Sequence, residues 1–587
     1  MRGLVLLIAG ALALGAQNNA ATEKEQGPIL RALAEELDRS RTLQLAGVET
    51  PYFIEYSLDD LHGFAAVASH GAIISSNATR LRLPRVQVRV GDYGFDNTNY
   101  IFSDFFGRIG GARLPLEDDY GVLRHHYWLL TDRAFKGAVE AIARKRSALR
   151  NVTVTEEVND YAKAKPEALV QDLRPISMRE GTWTSLAREL SALFCHYPAL
   201  TGSQVEVESS FSNTYYLNTE GTRVRYPDDL FTVRIRAGAQ APDGMPVRDS
   251  MGVHARTPGA IPPQPALERL VRELASNLTS LLTAPAGEDY SGPVLVEEAA
   301  SPQLFAQLIG ANLGLTRKPV AEPGRTPPVP SSELEGRMGA RILPDWMDIV
   351  DDPTQGEYRG HQLLGYFPID LEGVVPRPLT VIEKGSVKNF LLTRQPVRGF
   401  EGSNGRARLP GAFGAKAPVF SNLFVKARET KSAQELKKNL LDMVTQRGKP
   451  YGLIIRKLDF PTMATPDELR RLSAASGQRG GATRLTATPM LVFRVYPDGK
   501  EELVRGMRFR GLNVRSLRDI IAASDTDNIF DFIGNGSPLP PAGVAGYVSG
   551  HTVVAPSVLF EDLELDRIEE DWPKLPVVPA PALASCK

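Results

Sequence analysis

Apolar positions along the first half of the chain alternate between a helical and a strand period. Ile29, Leu30, Leu33, Leu37 and Leu43 recur at roughly helical spacing with charges between them, which predicts an amphipathic opening helix over Glu25–Leu43. Tyr52–Leu58, Gly63–Ser69, Ala72–Asn77 and Leu81–Tyr93 read as consecutive strands, with the cleanest alternation at Val86–Val90. These begin an antiparallel sheet. Phe102–Tyr120 has no period and reads as loop, and Tyr127–Leu149 turns helical and ends in a basic run. A polar, proline-punctuated stretch from Asn151 to Pro175 leads to a helix at Thr182–Leu193. A meander follows at Gln204–Ser212, Thr214–Thr219, Thr222–Asp228 and Leu230–Ala239, and a long helix at Ala266–Leu282 closes the first half.

The second half opens on a short apolar run, Pro293–Val296, which reads as a buried strand. After an acidic turn, Gln303–Leu313 carries apolar residues at 304, 305, 308, 309 and 313, the pattern of a helix with one buried face. Arg317–Glu335 is proline-rich and predicts an exposed loop. Strands are predicted at Thr380–Glu383, Val387–Leu392, Tyr451–Asp459, Pro489–Val495 and Glu501–Leu512, with a helix at Ser432–Gln446 and a short one at Leu517–Ala523. Gly550–Asp562 reads as a closing strand. The pattern predicts an α+β protein of two domains. An α+β N-terminal domain with an antiparallel sheet spans 22–285, a mostly β C-terminal domain with a few helices spans 286–572, and a Pro/Ala-rich tail follows at 573–587.

Length agrees with this division, because 587 residues exceed what one compact core holds. Lys+Arg 68 against Asp+Glu 69 leaves a net charge of -1, so no global field favours nucleic acid or an anionic membrane. The first 21 residues, with Arg2, an apolar run from Leu4 to Leu14 and small residues around Ala13 and Ala16, predict a secretory leader and an exported, periplasmic protein. No later segment is long and apolar enough to span a bilayer. Cys195 and Cys586 are the two cysteines. Ordering the tail to join them would cost chain entropy, so they are expected unpaired.

The eight histidines show no His-x-x-x-His or His-x-His spacing, so no helical or strand-based metal pair is encoded. His125-His126 point apart on regular structure. His361 precedes Asp370 across an expected hairpin and has a carboxylate within reach. Asp351-Asp352 reads as a solvated strand end more readily than as a cation site, and the arginines at 505, 508, 510, 515 and 518 form a basic run that reads equally well as a contact for an anionic partner or as strand residues facing water. No nucleophile elbow or phosphate loop occurs.

Several ordered stretches resemble the TldD/TldE family, also called PmbA or modulator of DNA gyrase. They are Asn218-Thr219-Glu220-Gly221-Thr222, the segment from Trp346 through Arg398, Ser403-Asn404-Gly405-Arg406, Pro418–Asn422 and the closing strand. The resemblance covers most of Gln204–Asp562 and the first 200 residues more loosely. It implies a peptidase scaffold that binds extended peptide, assembles as a dimer, and in catalytic members holds zinc through His-Glu-x-x-x-His on the helix at 303–313. This chain reads Ala306-Gln307-Leu308-Ile309-Gly310-Ala311 there, and Val544-Ala545-Gly546 where catalytic members place a cysteine ligand.

Two methyl groups and a carboxamide neither ligate zinc nor titrate, so no metal or other cofactor is expected. Residues five apart on an ideal helix point about 140° away from each other, so the family's ligand pair needs a local distortion, for which Gly310 is suited. The resemblance thus implies a non-catalytic, TldE-like subunit. Its degenerate metal positions are Ala306, Gln307 and Ala311, and its peptide cleft is formed by Asn404, Gly405, Arg406, Asn422 and His361. Its partners are a peptide or unfolded polypeptide and either a second copy or a TldD-like family member. Two rivals stand beside it: an active peptidase using other residues, such as His361, Asp352 and Arg406, and a self-sufficient periplasmic peptide-binding homodimer.

Overall fold

The structure, a computed structural model, describes residues 27–44, 47–101, 114–150, 158–177, 179–321, 332–409, 416–460, 487–534, 549–574 and 576. The expected leader over 1–21, the loop at 102–113, the Val544–Gly546 stretch and Cys586 lie outside the described residues. Two sheets organise the chain. One has seven strands drawn from residues 51–255 and the other eleven from residues 290–567, with the helix Gln264–Thr283 between them in sequence.

The first sheet starts with a hairpin of two 19-residue strands, Pro51–Ser69 and Ala72–Val90, where the hydropathy pattern predicts four short strands. The apparent break at Asp59–His62 is absent because its charges are compensated. Arg85 pairs with Asp59 at 2.8 Å, and the fully buried Arg82 pairs with Asp60 at 3.2 Å. Gly202–Asn218 is likewise one strand, against the hairpin on one edge and Arg223–Pro227 and Leu230–Gln240 on the other. Pro246–Ala255, which the sequence reading passes over, adds a further strand beside Leu230–Gln240.

Every helix of this unit covers the same sheet face. The helix at 27–40 and the helix Tyr120–Leu149 pack on Ile54, Tyr56, Leu58, Tyr215 and Leu217. Glu180–Ala192 and Gln264–Thr283 pack on Phe64, Ala66, Val205, Val207 and Phe211. In Gln264–Thr283 the buried Leu267, Val271, Leu274, Leu278 and Leu281 each contribute about 1.5–3 kcal/mol on removal from water. Tyr120–Leu149 begins seven residues ahead of its apolar period because Asp119 caps it, accepting from the Val122 N–H at 2.8 Å. The opposite sheet face carries a line of polar residues on Gly202–Asn218: Glu206, Glu208, Ser210, Ser212, Thr214 and Tyr216.

In the second sheet the central strand is Gly550–Arg567. Its first residues pair in parallel with Asn422–Ala427, its later ones antiparallel with Tyr290–Val296, and its other edge carries Ile520–Ile533. The short helix expected at Leu517–Ala523 is instead a 3₁₀ turn, Val514–Asp519, running into that strand. Ile520 and Ala522 are buried and laddered to Phe560 and Leu559, so tertiary pairing overrides the local run. Glu501–Val504 keeps the expected hairpin with Pro489–Val495, but Met507–Phe509 turns away after Gly506, at φ +73°, to pair with Leu565–Arg567. Helix Ala433–Gln446 opens on a capping box between Ser432 and Glu435. Among the described residues no helix is long and apolar enough to cross a membrane.

Candidate functional site

The helix that the resemblance singles out runs Ala300–Leu308 and tightens into a 3₁₀ turn at Gly310–Asn312. Gly310 is needed less for a backbone distortion than for contact, since a Cβ there would lie 2.5 Å from the ring of Phe420. The helix packs into the core of the second sheet, with Ala306 only 3% exposed and Ala311 half-buried. Gln307 is engaged: its side-chain oxygen accepts the Ala487 N–H at 2.9 Å. One turn earlier Gln303 accepts the Leu458 N–H at 2.8 Å. The two amides therefore hold both strand ends of the excursion between 458 and 487, a role the letters alone do not announce, although the i, i+4 glutamine spacing was visible.

The space beside this helix is aromatic. Phe420, Phe460, Phe530 and Phe532 form a cluster with ring centroids 4.9–6.0 Å apart, and His551 lies against Phe420 and Phe532 at 4.5 and 4.8 Å. His551 is 3% exposed and donates its Nδ1 proton to the Phe420 carbonyl at 2.8 Å. Burial pushes its pKa down to about 3, so the ring is neutral. A zinc ion does not fit these residues. The helix offers two methyl groups and an amide already used as an acceptor, and no group of three His, Cys, Asp or Glu side chains that could hold a metal occurs among the described residues.

Four of the five expected cleft residues hold the fold. Arg406 is fully buried, pairs with Asp351 at 2.8 Å and donates to the carbonyls of Asn404, Asp351 and Arg377. Asn404 straps a neighbouring loop through the Leu392 N–H and Phe390 carbonyl, at 2.9 and 2.8 Å. Gly405 has φ +75°, and a Cβ on it would lie 2.8 Å from Pro376. Asn422, buried, donates to the carbonyls of Asp352 and Gln355 at 3.0 and 2.9 Å. Asp352 caps its own turn at Thr354. His361, Asp352 and Arg406 are thus engaged with different partners, Asp531, Thr354 and Asp351.

His361 does find a carboxylate, but it is Asp531 at 2.6 Å rather than Asp370. That hydrogen bond, opposed by partial burial, raises its pKa. Asp531 also accepts from Thr552, which in turn accepts the Leu364 N–H. The turn Asp370–Gly373 serves the junction between the two units instead. Glu372 accepts the Arg394 N–H at 2.6 Å, and its carboxyl is pushed up to about 7 by burial against the opposing pull of Lys416. Across the junction Lys416 pairs with the buried Glu55, and Arg394 pairs with Glu220 at 2.6 Å. Of the basic run, Arg505 pairs with Asp243 at 2.7 Å and Arg510 with Glu564 at 2.7 Å, so neither is free for an anionic partner.

Ile520–Ile533 matters for what it leaves open. From Asp527 to Ile533 it pairs with Gly550–Pro556 on one side, and on its outer edge no described strand adds to it. Phe530 and Phe532 flank this edge on one face, and Tyr358, His361, Asp527 and Asp531 on the other.

Comparison with known proteins places this architecture. Residues 293–458 match the PmbA/TldA metallopeptidase C-terminal domain. A metalloprotease from Archaeoglobus fulgidus is 35% identical over 78 residues, which are 13% of this chain and 17% of that protein, so the match spans under a fifth of the relative's length. Among solved structures, a modulator of a DNA gyrase from Thermotoga maritima superposes with a TM-score of 0.53 at 19% identity, covering 87% of this chain and 96% of its own. TldE from Thermococcus kodakarensis gives 0.52 at 12% identity, covering 88% and 97%. At such identities the structures share a fold and nothing more. Residues 293–458 thus match the PmbA/TldA metallopeptidase C-terminal domain, with the helix Ala300–Leu308 near the start of the match, and the chain as a whole shares the fold of the TldE and gyrase-modulator structures.

Proposed function

We propose that this chain is an exported, TldE-like subunit without peptidase chemistry of its own, which holds an extended or unfolded peptide. It works as a homodimer or beside a TldD-like partner that bears the zinc motif. The observation that carries this reading is the environment of Gln307: a side chain shaped like the family's general base spends its oxygen on the Ala487 N–H, between two alanines. The outer edge of Asp527–Ile533 supports the binding half, since an unpaired edge can accept a peptide as an added strand.

Metal analysis and peptide titration of the purified full chain test the two halves separately. Sub-stoichiometric zinc, no hydrolysis, and saturable binding of an unstructured fluorescent peptide are expected. Stoichiometric zinc, or hydrolysis by the chain alone, would overturn the non-catalytic half; absence of any peptide binding, alone and with a family partner bearing the motif, would overturn the other. Periplasmic fractionation tests export.

A further inference from the structure

The polar line on Gly202–Asn218 contains a carboxylate that the fold does not use. Alternation places Glu206, Glu208, Ser210 and Ser212 on the face away from the helices. Glu206 is charge-paired, with Arg234 at 3.0 Å and Arg236 at 3.8 Å. Glu208, half-buried, has no hydrogen bond or ion pair among the described residues. Its cross-strand neighbours are Ala65 on one side and Thr232 on the other, and Thr232 bonds His254 at 3.1 Å rather than Glu208.

The next two residues on the face repeat the theme. Ser210 and Ser212 are each 2% exposed, and the hydroxyl oxygen of each is buried without a hydrogen-bond partner among the described residues. Gly63 faces Ser210 across the ladder, so the neighbouring strand adds no bulk. Buried hydroxyls and carboxylates are ordinarily paired, and three successive positions on one face without a hydrogen-bond partner among the described residues leave acceptor capacity there unused. Burial, with Glu206 adding to it and Arg234 opposing, pushes the Glu208 carboxyl up to about 7. The row also adjoins the open edge: Leu230, the cross-strand partner of Ser210, packs against Ile533 at the end of Ile520–Ile533.

We propose that Glu208 and Ser210, with Ser212 beside them, form a binding site for a cationic nitrogen of the bound peptide, either its amino terminus or a basic side chain. The inference rests on the peptide-binding reading and adds a preference to it. The carboxylate supplies the counter-charge, and the serine oxygens accept the remaining N–H bonds of the ammonium or guanidinium.

Calorimetric titration of the full chain with three hexapeptides of one backbone sequence tests it. The first is blocked at both ends with norleucine scanned through each position, the second has lysine in place of norleucine, and the third is the norleucine peptide with a free amino terminus. At least one cationic peptide should bind about tenfold or more tightly than the blocked neutral one. Whichever cationic peptide shows the gain identifies the source of the nitrogen. Glu208→Gln should abolish the preference while leaving affinity for the neutral peptide unchanged, with a thermal midpoint no lower than that of the parent. Ser210→Ala, which keeps every charge, should lower the preference several-fold and reads the same site if Glu208→Gln disturbs the sheet. Binding of all three peptides with equal affinity would overturn the site and leave the peptide-binding reading intact. Binding of none would overturn both.

Discussion

Replacing Arg406 by methionine separates a structural role from a ligand-binding one. Arg406 and Asp351 are both fully buried, and the guanidinium satisfies the carboxylate and three backbone carbonyls at once. Arg406→Met keeps most of the volume but strands Asp351, whose remaining donors are the N–H and hydroxyl of Ser421 at 2.7 and 3.0 Å. Breaking a buried pair from one side costs about 3–5 kcal/mol, against a stability of about 5–15 kcal/mol for a typical domain. Adding Asp351→Asn removes the orphaned charge, so the double variant should recover about 1–3 kcal/mol of that loss, leaving mainly the unpaired carbonyls. Equilibrium urea unfolding followed by circular dichroism reads all three variants against the parent. Stability of Arg406→Met within about 1 kcal/mol of the parent, together with lost peptide binding, would refute the structural assignment and return Arg406 to the cleft.

Other expectations follow from the same geometry. Gln307→Ala should cost about 1 kcal/mol and speed exchange of the Ala487 amide by mass spectrometry, whereas Gln307→Glu, which retains an acceptor, should protect that amide nearly as well as the parent. His551, depressed from 6.5 to about 3, makes no demand above pH 6.5; below it the unfolded chain takes a proton the native state refuses, so stability should fall by about 1.4 kcal/mol per pH unit down to about pH 3. His551→Phe should flatten that limb of the urea-derived profile, and an unchanged slope would contradict the burial. The His361 pKa is raised, so its pairing should stabilise fully below about pH 6.5 and be lost as pH rises through the higher native value. NMR titration should find it above the ordinary value, and Asp531→Asn should bring it back.

How much of this was legible in the chain differs by feature. Helices with a single apolar stripe, such as Gln264–Thr283 and Ala433–Gln446, stand within two residues of their predicted limits, because one-sided burial writes its period into the sequence. Strands whose polar residues are compensated by partners far away in sequence were misread: Asp59 and Asp60 look like a turn until Arg85 and Arg82 are placed opposite them. Ile520–Ile533 suffered the converse, since a short apolar run carries no period that separates strand from helix. At the helix, what Ala306, Gln307 and Ala311 can and cannot donate is plain from the letters, because chemistry is a property of residue type. The resemblance places Asn404, Arg406 and Asn422 in a cleft, and only coordinates reveal backbone carbonyls as their partners. Glu208 went unnoticed for a related reason, as alternation marks a polar face without saying whether water or another sheet covers it.

The helix Ala300–Leu308 also shows how an amide, that of Gln307, serves the fold where a carboxylate would serve it equally. A glutamate in that position presents two oxygens, and for a backbone N–H either is as good an acceptor as an amide oxygen. Gln307 keeps that oxygen for Ala487 while Gln303 does the same for Leu458, so the hairpin base depends on acceptor geometry and not on charge. Glycine at 310 lets the chain close on Phe420, whose ring would lie 2.5 Å from any Cβ there and lies tilted against the neutral His551 at 4.5 Å. An imidazole at 306, where the alanine is 3% exposed, would overpack the core, and overpacking of that kind costs about 1–3 kcal/mol. Placing one there by substitution on the helix alone is therefore an unfavourable change.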